Sequence, residues 1–269
     1  MKKVDIHRDS LKEIKAQWDK KYQGEPLTIL KKNIGGFEVR FNPLRARYMT
    51  STQHAAIDTD VFCHKWDVIV KNEKIGEISL PHFSWILATN TSPIEQHHSL
   101  LICAEHQDQE MTAECMDDLH AFSLEYPELS VGFNGWRAGA SQKHLHAQLF
   151  LSRLPITQWE RDEKSGQISA YPGICFVLST PQEAFTRIQE LVQENIPYNV
   201  LFTNGLTYII PRKNENDDKN IKRGFDSVFG KVPVLTQEDY DEATTDEVRN
   251  ILATLMYQIL SLNGQTLSL

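Results

Sequence analysis

The chain has 269 residues, 41% of them hydrophobic and 24% charged, proportions that suit a soluble globular protein with a sizeable core. Its net charge of −8, from 28 basic and 36 acidic residues, argues against nonspecific binding to nucleic acid, which needs a basic field, but a few local cations and backbone N–H groups suffice for one nucleotide. No run approaches the roughly 18 apolar residues of a membrane span, the charged N-terminus does not read as a signal peptide, and Cys63, Cys103, Cys115 and Cys175 show no CxxC or framework spacing, so a reducing, cytoplasmic setting is expected.

In chain order, Ser10 to Tyr22 reads as an amphipathic helix. Ser10 and Glu13 have capping-box spacing, and Leu11, Ile14, Trp18 and Tyr22 share a face. A turn at Gly35-Gly36 precedes an expected strand, Phe37 to Phe41. A proline-broken segment, Asn42-Pro43-Leu44-Arg45-Ala46-Arg47, follows with two close arginines. Asp67 to Val70 and Ser99 to Cys103 read as short β-type runs, separated by a loop-rich stretch. Glu110 to Glu125 predicts a helix with Met111, Cys115, Leu119 and Phe122 on one face. Ser130 to Phe133 and His144 to Leu151 are expected strands. Phe185, Ile188, Leu191 and Val192 mark a helix. After it, the runs from Asn199 and Leu206 flank Asn204-Gly205, the preferred pair for a type I′ hairpin turn. Asn214 to Arg223 reads as a charged, mobile loop. The last helix is expected from about Thr244 to Leu262, with Thr244 and Glu247 at capping-box spacing. No repeat, heptad array or composition break divides the chain. The pattern predicts one α+β domain over residues 1–269, with a mixed or antiparallel sheet covered by helices.

The most informative segment is Gly139-Ala140-Ser141-Gln142-Lys143-His144-Leu145-His146-Ala147-Gln148-Leu149. In an extended chain His144, His146 and Gln148 share one face, while Leu145, Ala147 and Leu149 share the other. The apolar face can anchor the strand while the polar row faces a ligand. The small-residue loop from Asn134 can turn backbone N–H groups toward an anion. Imidazoles beside such a loop suit nucleophilic catalysis on a phosphate ester. Taken alone, His-x-His is more often a metal-site fragment or a surface pair.

Gly-Ala-Ser-Gln-x-His-x-His-x-Gln resembles the active-site signature of the transferase branch of the histidine triad superfamily. That branch holds galactose-1-phosphate uridylyltransferases, diadenosine tetraphosphate phosphorylases and GDP-hexose phosphorylases. Hydrolase branches usually end the motif with a third histidine, where this chain has Gln148. The segments Asn42 to Arg47, Pro93 to His106 and Pro197 to Lys213 resemble further parts of the same proteins. The resemblance thus covers a core of about residues 37–213. It implies a histidine-triad-like sheet with an added C-terminal hairpin and helix.

The resemblance implies nucleotidyl transfer in two steps through a covalent histidyl-nucleotide on His146. His144 and Gln148 are the other implied catalytic residues, and Gln148 would donate to a phosphate oxygen. Asn134, Gly139, Ala140, Ser141 and Gln142 would hold phosphate oxygens or orient their loop. Arg45, Arg47, Arg212 and Lys213 are candidates for the rest of a polyphosphate or sugar phosphate. The implied partners are a nucleotide or nucleotide sugar and an acceptor, inorganic phosphate or a sugar phosphate. Neither nucleic acid nor membrane is implied, and a homodimer is compatible. The chemistry requires no cofactor. Some relatives carry structural zinc, and its ligands here would be Asp60, Cys63, His106 and His144, with aspartate replacing the first cysteine of a CxxC pair. The alternatives are a hexose-1-phosphate uridylyltransferase with structural zinc, a non-catalytic nucleotide-binding protein and a metal-binding module.

Overall fold

The computed structural model describes residues 12, 15–16, 19–20, 28–43, 61–91, 93–135, 137–140, 142–162, 168, 171–213, 223–257, 261–262 and 265–266. The expected N-terminal helix falls largely outside these residues, as do Asn214 to Lys222 of the charged loop.

The motif strand, β7 (His146–Phe150), lies inside an antiparallel sheet of eight strands ordered β3-β4-β5-β7-β6-β9-β10-β8. The others are β3 (Lys74–Ser79), β4 (Ser84–Thr89), β5 (Ser99–Cys103), β6 (Ser130–Asn134), β8 (Phe176–Leu178), β9 (Tyr198–Thr203) and β10 (Leu206–Pro211). Side chains alternate across it with the period of two that a pleated strand imposes. Trp85, Leu87, Leu101, Cys103, Val131, Leu145, Ala147, Leu149, Val200 and Phe202 enter one core. Two helices cover that face. In α3 (Ala113–Glu125) Cys115, Met116, Leu119 and Phe122 point inward, and in α4 (Pro181–Gln193) Ala184, Ile188 and Leu191 do. Thr112 and Thr180 cap them, accepting from the N–H groups of Cys115 and Glu183.

The opposite face has two covers. Over β4 and β5 lie two short helices, α1 (Val61–His64) and α2 (Trp66–Asn72), whose Phe62, Trp66 and Ile69 pack on Ile86, Ala88 and Ile102. Over β6 to β10 sits a second core, to which the three-stranded sheet of β1 (Leu30–Ile34), β2 (Phe37–Phe41) and β11 (Lys231–Val234) contributes Phe37, Val39 and Val232. Helices α5 (Phe225–Val228) and α7 (Thr245–Leu255) complete it, while α6 (Gln237–Glu242) lies between β11 and α7 in the chain. The polar row of β7 runs along the seam between these two covers.

The α+β class, the motif strand, β2, β5, β6, both long helices and the hairpin occur as expected. Asn204 and Gly205 take φ of 50° and 71° at the hairpin turn, and Gly35 and Gly36 take 55° and 87° between β1 and β2. Three expectations are corrected. Asp67 to Val70 is helical within α2, because Phe62, Trp66 and Ile69 recur at helical spacing and bury one face on the sheet. The loop-rich stretch before Ser99 contains β3 and β4; β4 is apolar on both faces and therefore lacks the alternation that marks a half-buried strand. The last helix stops at Leu255 although its apolar stripe continues. Met256 turns extended and bridges Arg212, the Lys213 N–H donates to the Leu255 carbonyl, and Ile174 N–H donates to the Tyr257 carbonyl. Tertiary pairing there overrides helical propensity. Ser261–Leu262 forms β12, paired with β13 (Gln265–Thr266). No helix among the described residues is long and apolar enough to cross a membrane.

Candidate active site

β7 presents His146 and Gln148 on the seam face, and His144 is held just before them by an isolated bridge to Asp108. The two imidazoles have opposite tautomers, fixed by backbone carbonyls. His146 Nδ1 lies 2.8 Å from the His144 carbonyl, and His144 Nε2 lies 2.7 Å from the Cys103 carbonyl. A carbonyl only accepts, so each of those nitrogens carries a proton. In the neutral ring the lone pair of His146 is then on Nε2, and that of His144 on Nδ1. His146 is 5% exposed, and Gln148 is half-buried one position beyond it on the same face.

Aromatic rings from α1 and α2 wall the row. Phe62 meets the His146 ring edge-on at 5.2 Å, and Trp66 stacks on His144 at 5.8 Å. Opposite Gln148 on β6 is Gly132, where a Cβ would fall 2.2 Å from the Phe225 ring. Only glycine leaves room for that ring.

The loop after β6 is built from buried amides. Asn134 Oδ1 accepts from Asn199 Nδ2 at 2.7 Å and from the Phe225 N–H at 3.1 Å. Asn199 Nδ2 also donates to the Ala138 carbonyl, and its Oδ1 accepts from Arg212 Nη1 at 2.8 Å. Arg212 is fully buried and donates as well to the Arg223 carbonyl. It therefore braces the loop from behind, while Lys213 beside it is exposed. Gly139 has φ of 95°, and its Cα faces the Arg223–Gly224 backbone so closely that a Cβ would stand 3.0 Å from it. Ala140 and Gln142 are half-buried along the loop. Arg223, expected at the end of a mobile loop, is buried, because its guanidinium donates to the Pro233 carbonyl. Arg45, Arg47, Ser141 and Asp60 lie outside the described residues.

Sequence reading missed Gln109, Asn199 as a loop anchor, and the aromatic pair Phe62 and Trp66. Asn199 sits within the hairpin pattern, whereas nothing in Gln107-Asp108-Gln109 marks Gln109 as buried. It is nonetheless 5% exposed and bonded to the main chain of His146.

Cys63, His106 and His144 converge at one end of the row, with ligand atoms all within 4.8 Å of one another. Cys63 Sγ is 3.1 Å from His106 Nδ1 and 3.3 Å from His144 Nδ1. Tetrahedral zinc with ordinary bond lengths would set sulfur and nitrogen about 3.5 Å apart. The His144 lone pair is on the nitrogen near the sulfur, and its other nitrogen is anchored to a carbonyl, as metal-bound histidines usually are. The residues thus fit a metal ion, with α1 supplying the thiol.

The fold is that of known enzymes. The structure of yeast Ap4A phosphorylase Apa2 in complex with AMP aligns over 95% of this chain and 98% of that chain, with a TM-score of 0.68 and 14% sequence identity. The complex of the same enzyme with Ap4A aligns over 96% and 99%, with a TM-score of 0.68 and 15% identity. A further structure of that enzyme aligns over 93% and 95%, with a TM-score of 0.66 and 16% identity. Likeness at this identity establishes the shared α+β fold. No curated protein sequence matches the chain. Residues 7–150, which run from the N-terminus through β7, match the family model described as Domain of unknown function (DUF4922), and the chain belongs to that family.

Proposed function

We propose that the protein is a nucleotidyltransferase that phosphorolyses a nucleoside polyphosphate or nucleotide sugar through a histidyl-nucleotide on His146. The observation that carries this reading is the hydrogen bond from His146 Nδ1 to the His144 carbonyl, which places the ring's lone pair on Nε2. The fold shared with a phosphorylase solved with AMP and with Ap4A supports the substrate class.

In the first step the Nε2 lone pair attacks the α-phosphorus. A P–N bond forms, the bond to the bridging oxygen breaks, and that oxygen leaves with the electron pair on the remaining nucleoside polyphosphate or, from a nucleotide sugar, on the sugar phosphate. In the second step an oxygen of inorganic phosphate attacks the same phosphorus and the P–N bond returns its pair to Nε2. The proton stays on Nδ1, donated to the His144 carbonyl, throughout. Gln148 donates an amide N–H to a phosphate oxygen but cannot deliver a proton, so the leaving group must be good without one. Backbone N–H groups of the loop after Asn134, whose Ala138 carbonyl is held by Asn199, steady the other oxygens. Cys63, His106 and His144 would hold a metal ion whose contribution is structural, fixing α1 against the motif.

The test is product formation from a panel of nucleoside polyphosphates and nucleotide sugars, with and without inorganic phosphate. This reading expects turnover that depends on phosphate; equal rates in both conditions would make water the acceptor and the protein a hydrolase. A second reading, hexose-1-phosphate uridylyltransfer, is favoured by the metal-fitting cluster at Cys63, His106 and His144. It requires turnover of a uridine diphosphate sugar with a hexose 1-phosphate but not with phosphate. A protein that only binds nucleotide would give no product with any acceptor.

A further inference from the structure

The β6–β7 ladder pairs Ser130 with Phe150, Val131 with Leu149 and Gly132 with Gln148. Continuing that register would place Asn134 opposite His146. At this position the side chain of Gln109 is inserted instead. Its Oε1 accepts from the His146 N–H at 2.7 Å, and its Nε2 donates to the His146 and Asn134 carbonyls at 3.0 and 2.9 Å. One carboxamide thus does for both strands what a neighbouring peptide group does in a regular ladder.

The main chain around Gln109 is equally well anchored. The Gln109 N–H donates to the Lys143 carbonyl and the Leu145 N–H to the Gln107 carbonyl, both at 2.7 Å. Residues 107–109 therefore run beside residues 143–145, joined by the isolated Asp108–His144 bridge. From there Gln109 reaches the far edge of His146, the edge that faces β6. Filling a rung with a side chain lets β6 and β7 part where the loop from Asn134 begins, without leaving buried peptide groups unpaired.

We propose that Gln109 is a positioning residue for the His146 reaction, a surrogate rung that fixes the nucleophile's main chain relative to the phosphate-holding loop. This rests on the histidyl-nucleotide reading above. The His146 Nδ1 proton is donated to a carbonyl two residues back on the same strand, so the tautomer depends on how the peptides from His144 to His146 are held. The amide also ties His146 to Asn134, whose Oδ1 organises the loop. Loss of that tie moves the nucleophile relative to the phosphorus, and misplacement of about 1 Å costs about 10²-fold in rate. Nucleotide affinity, which depends on the loop and the substrate's other contacts, changes little.

Two variants of the full-length chain separate the effects. Gln109→Glu keeps the acceptor and the size but replaces both donated bonds by repulsion between carboxylate and carbonyls. Gln109→Asn keeps the amide one methylene short, and serves if the carboxylate unfolds the protein. The readouts are 15N NMR of histidine-labelled protein, with the His146 signals assigned against His146→Gln, single-turnover adduct formation with Ap4A, and AMP affinity. The expected result is a fixed Nδ1–H tautomer in the native chain and mixed tautomers in the folded variant. Adduct formation should fall about 10²-fold with AMP affinity within twofold. A folded variant with the native tautomer and native adduct rate would overturn the proposal, as would a loss of AMP affinity equal to the loss of rate. If the native chain forms no adduct at all, the functional reading fails, while the tautomer comparison still decides what Gln109 does.

Discussion

One hydrogen bond at His146 determines which ring nitrogen is left for the attack proposed above. Replacing His146 by alanine or glutamine should abolish both adduct and turnover while circular dichroism stays native, because Gln148 cannot serve as a nucleophile and the His144 lone pair is directed toward Cys63. An unchanged rate in either variant would remove His146 from the chemistry. The adduct, a phosphoramidate on imidazole, should be labile in acid and stable in base; the opposite profile would indicate a carboxyl or hydroxyl nucleophile. In the proposed reaction Gln148 donates to the phosphate, so Gln148→Ala should slow turnover about 10²–10³-fold, leaving slow adduct formation measurable in a single turnover. The row itself was legible from the sequence because a period of two sorts His144, His146 and Gln148 from Leu145, Ala147 and Leu149 without further information. The carbonyls that set the tautomers and the amide of Gln109 were not legible. They depend on how residues distant in the chain meet at the edge of a strand.

Among the elements, α1 and α2 show how tertiary packing decides a short segment. Phe62 and Trp66 touch His146 and His144, while Cys63 between them reaches the same histidine. A metal ion at Cys63, His106 and His144 should therefore tether this segment. Chelation or Cys63→Ala should release about one zinc per chain by elemental analysis and increase hydrogen exchange across 61–72. Unchanged exchange with full metal content in Cys63→Ala would place the metal elsewhere. The helix α7 offers a separate check on local energetics. Its capping box is complete, since Thr244 Oγ1 accepts from the Glu247 N–H and the Glu247 carboxylate accepts from the Thr244 N–H. Thr244→Ala should cost about 1 kcal/mol in chemical denaturation. The start of that helix was readable from the cap, but its end was not. The apolar stripe continues past Leu255, and the extended pairing of residues 255–257 with Ile174, Arg212 and Lys213 stops it.

At the scale of the molecule, a buried ion cluster ties the small sheet to the large one. Arg40 Nη2 of β2 lies 2.6 Å from Glu95 ahead of β5, and Lys231 Nζ of β11 lies 2.8 Å from the same carboxylate. Ser152, just past β7, donates to Glu95 at 2.7 Å. Burial works to raise the Glu95 pKa, but the charges of Lys231 and Arg40 and the hydrogen bonds outweigh it, lowering it from 4.5 to about 2. The depressed value means that ionised Glu95 contributes stability above about pH 4.5, which is lost as pH falls through 2. Glu95→Gln should cost about 3–5 kcal/mol at pH 7, since it leaves the buried Lys231 without its carboxylate, while Arg40 keeps its pair with Glu38, and should flatten the acid limb of stability against pH. A variant as stable as the native chain would show that the cluster contributes nothing net.

The central claim is that a nucleotide becomes bonded to His146. Intact-mass spectrometry of the full-length chain after brief exposure to Ap4A without phosphate measures it directly. The account predicts a mass increase of one nucleoside monophosphate, mapped to His146, absent from His146→Ala and discharged when inorganic phosphate is added. Phosphate-dependent turnover of Ap4A with no adduct on His146 would contradict it.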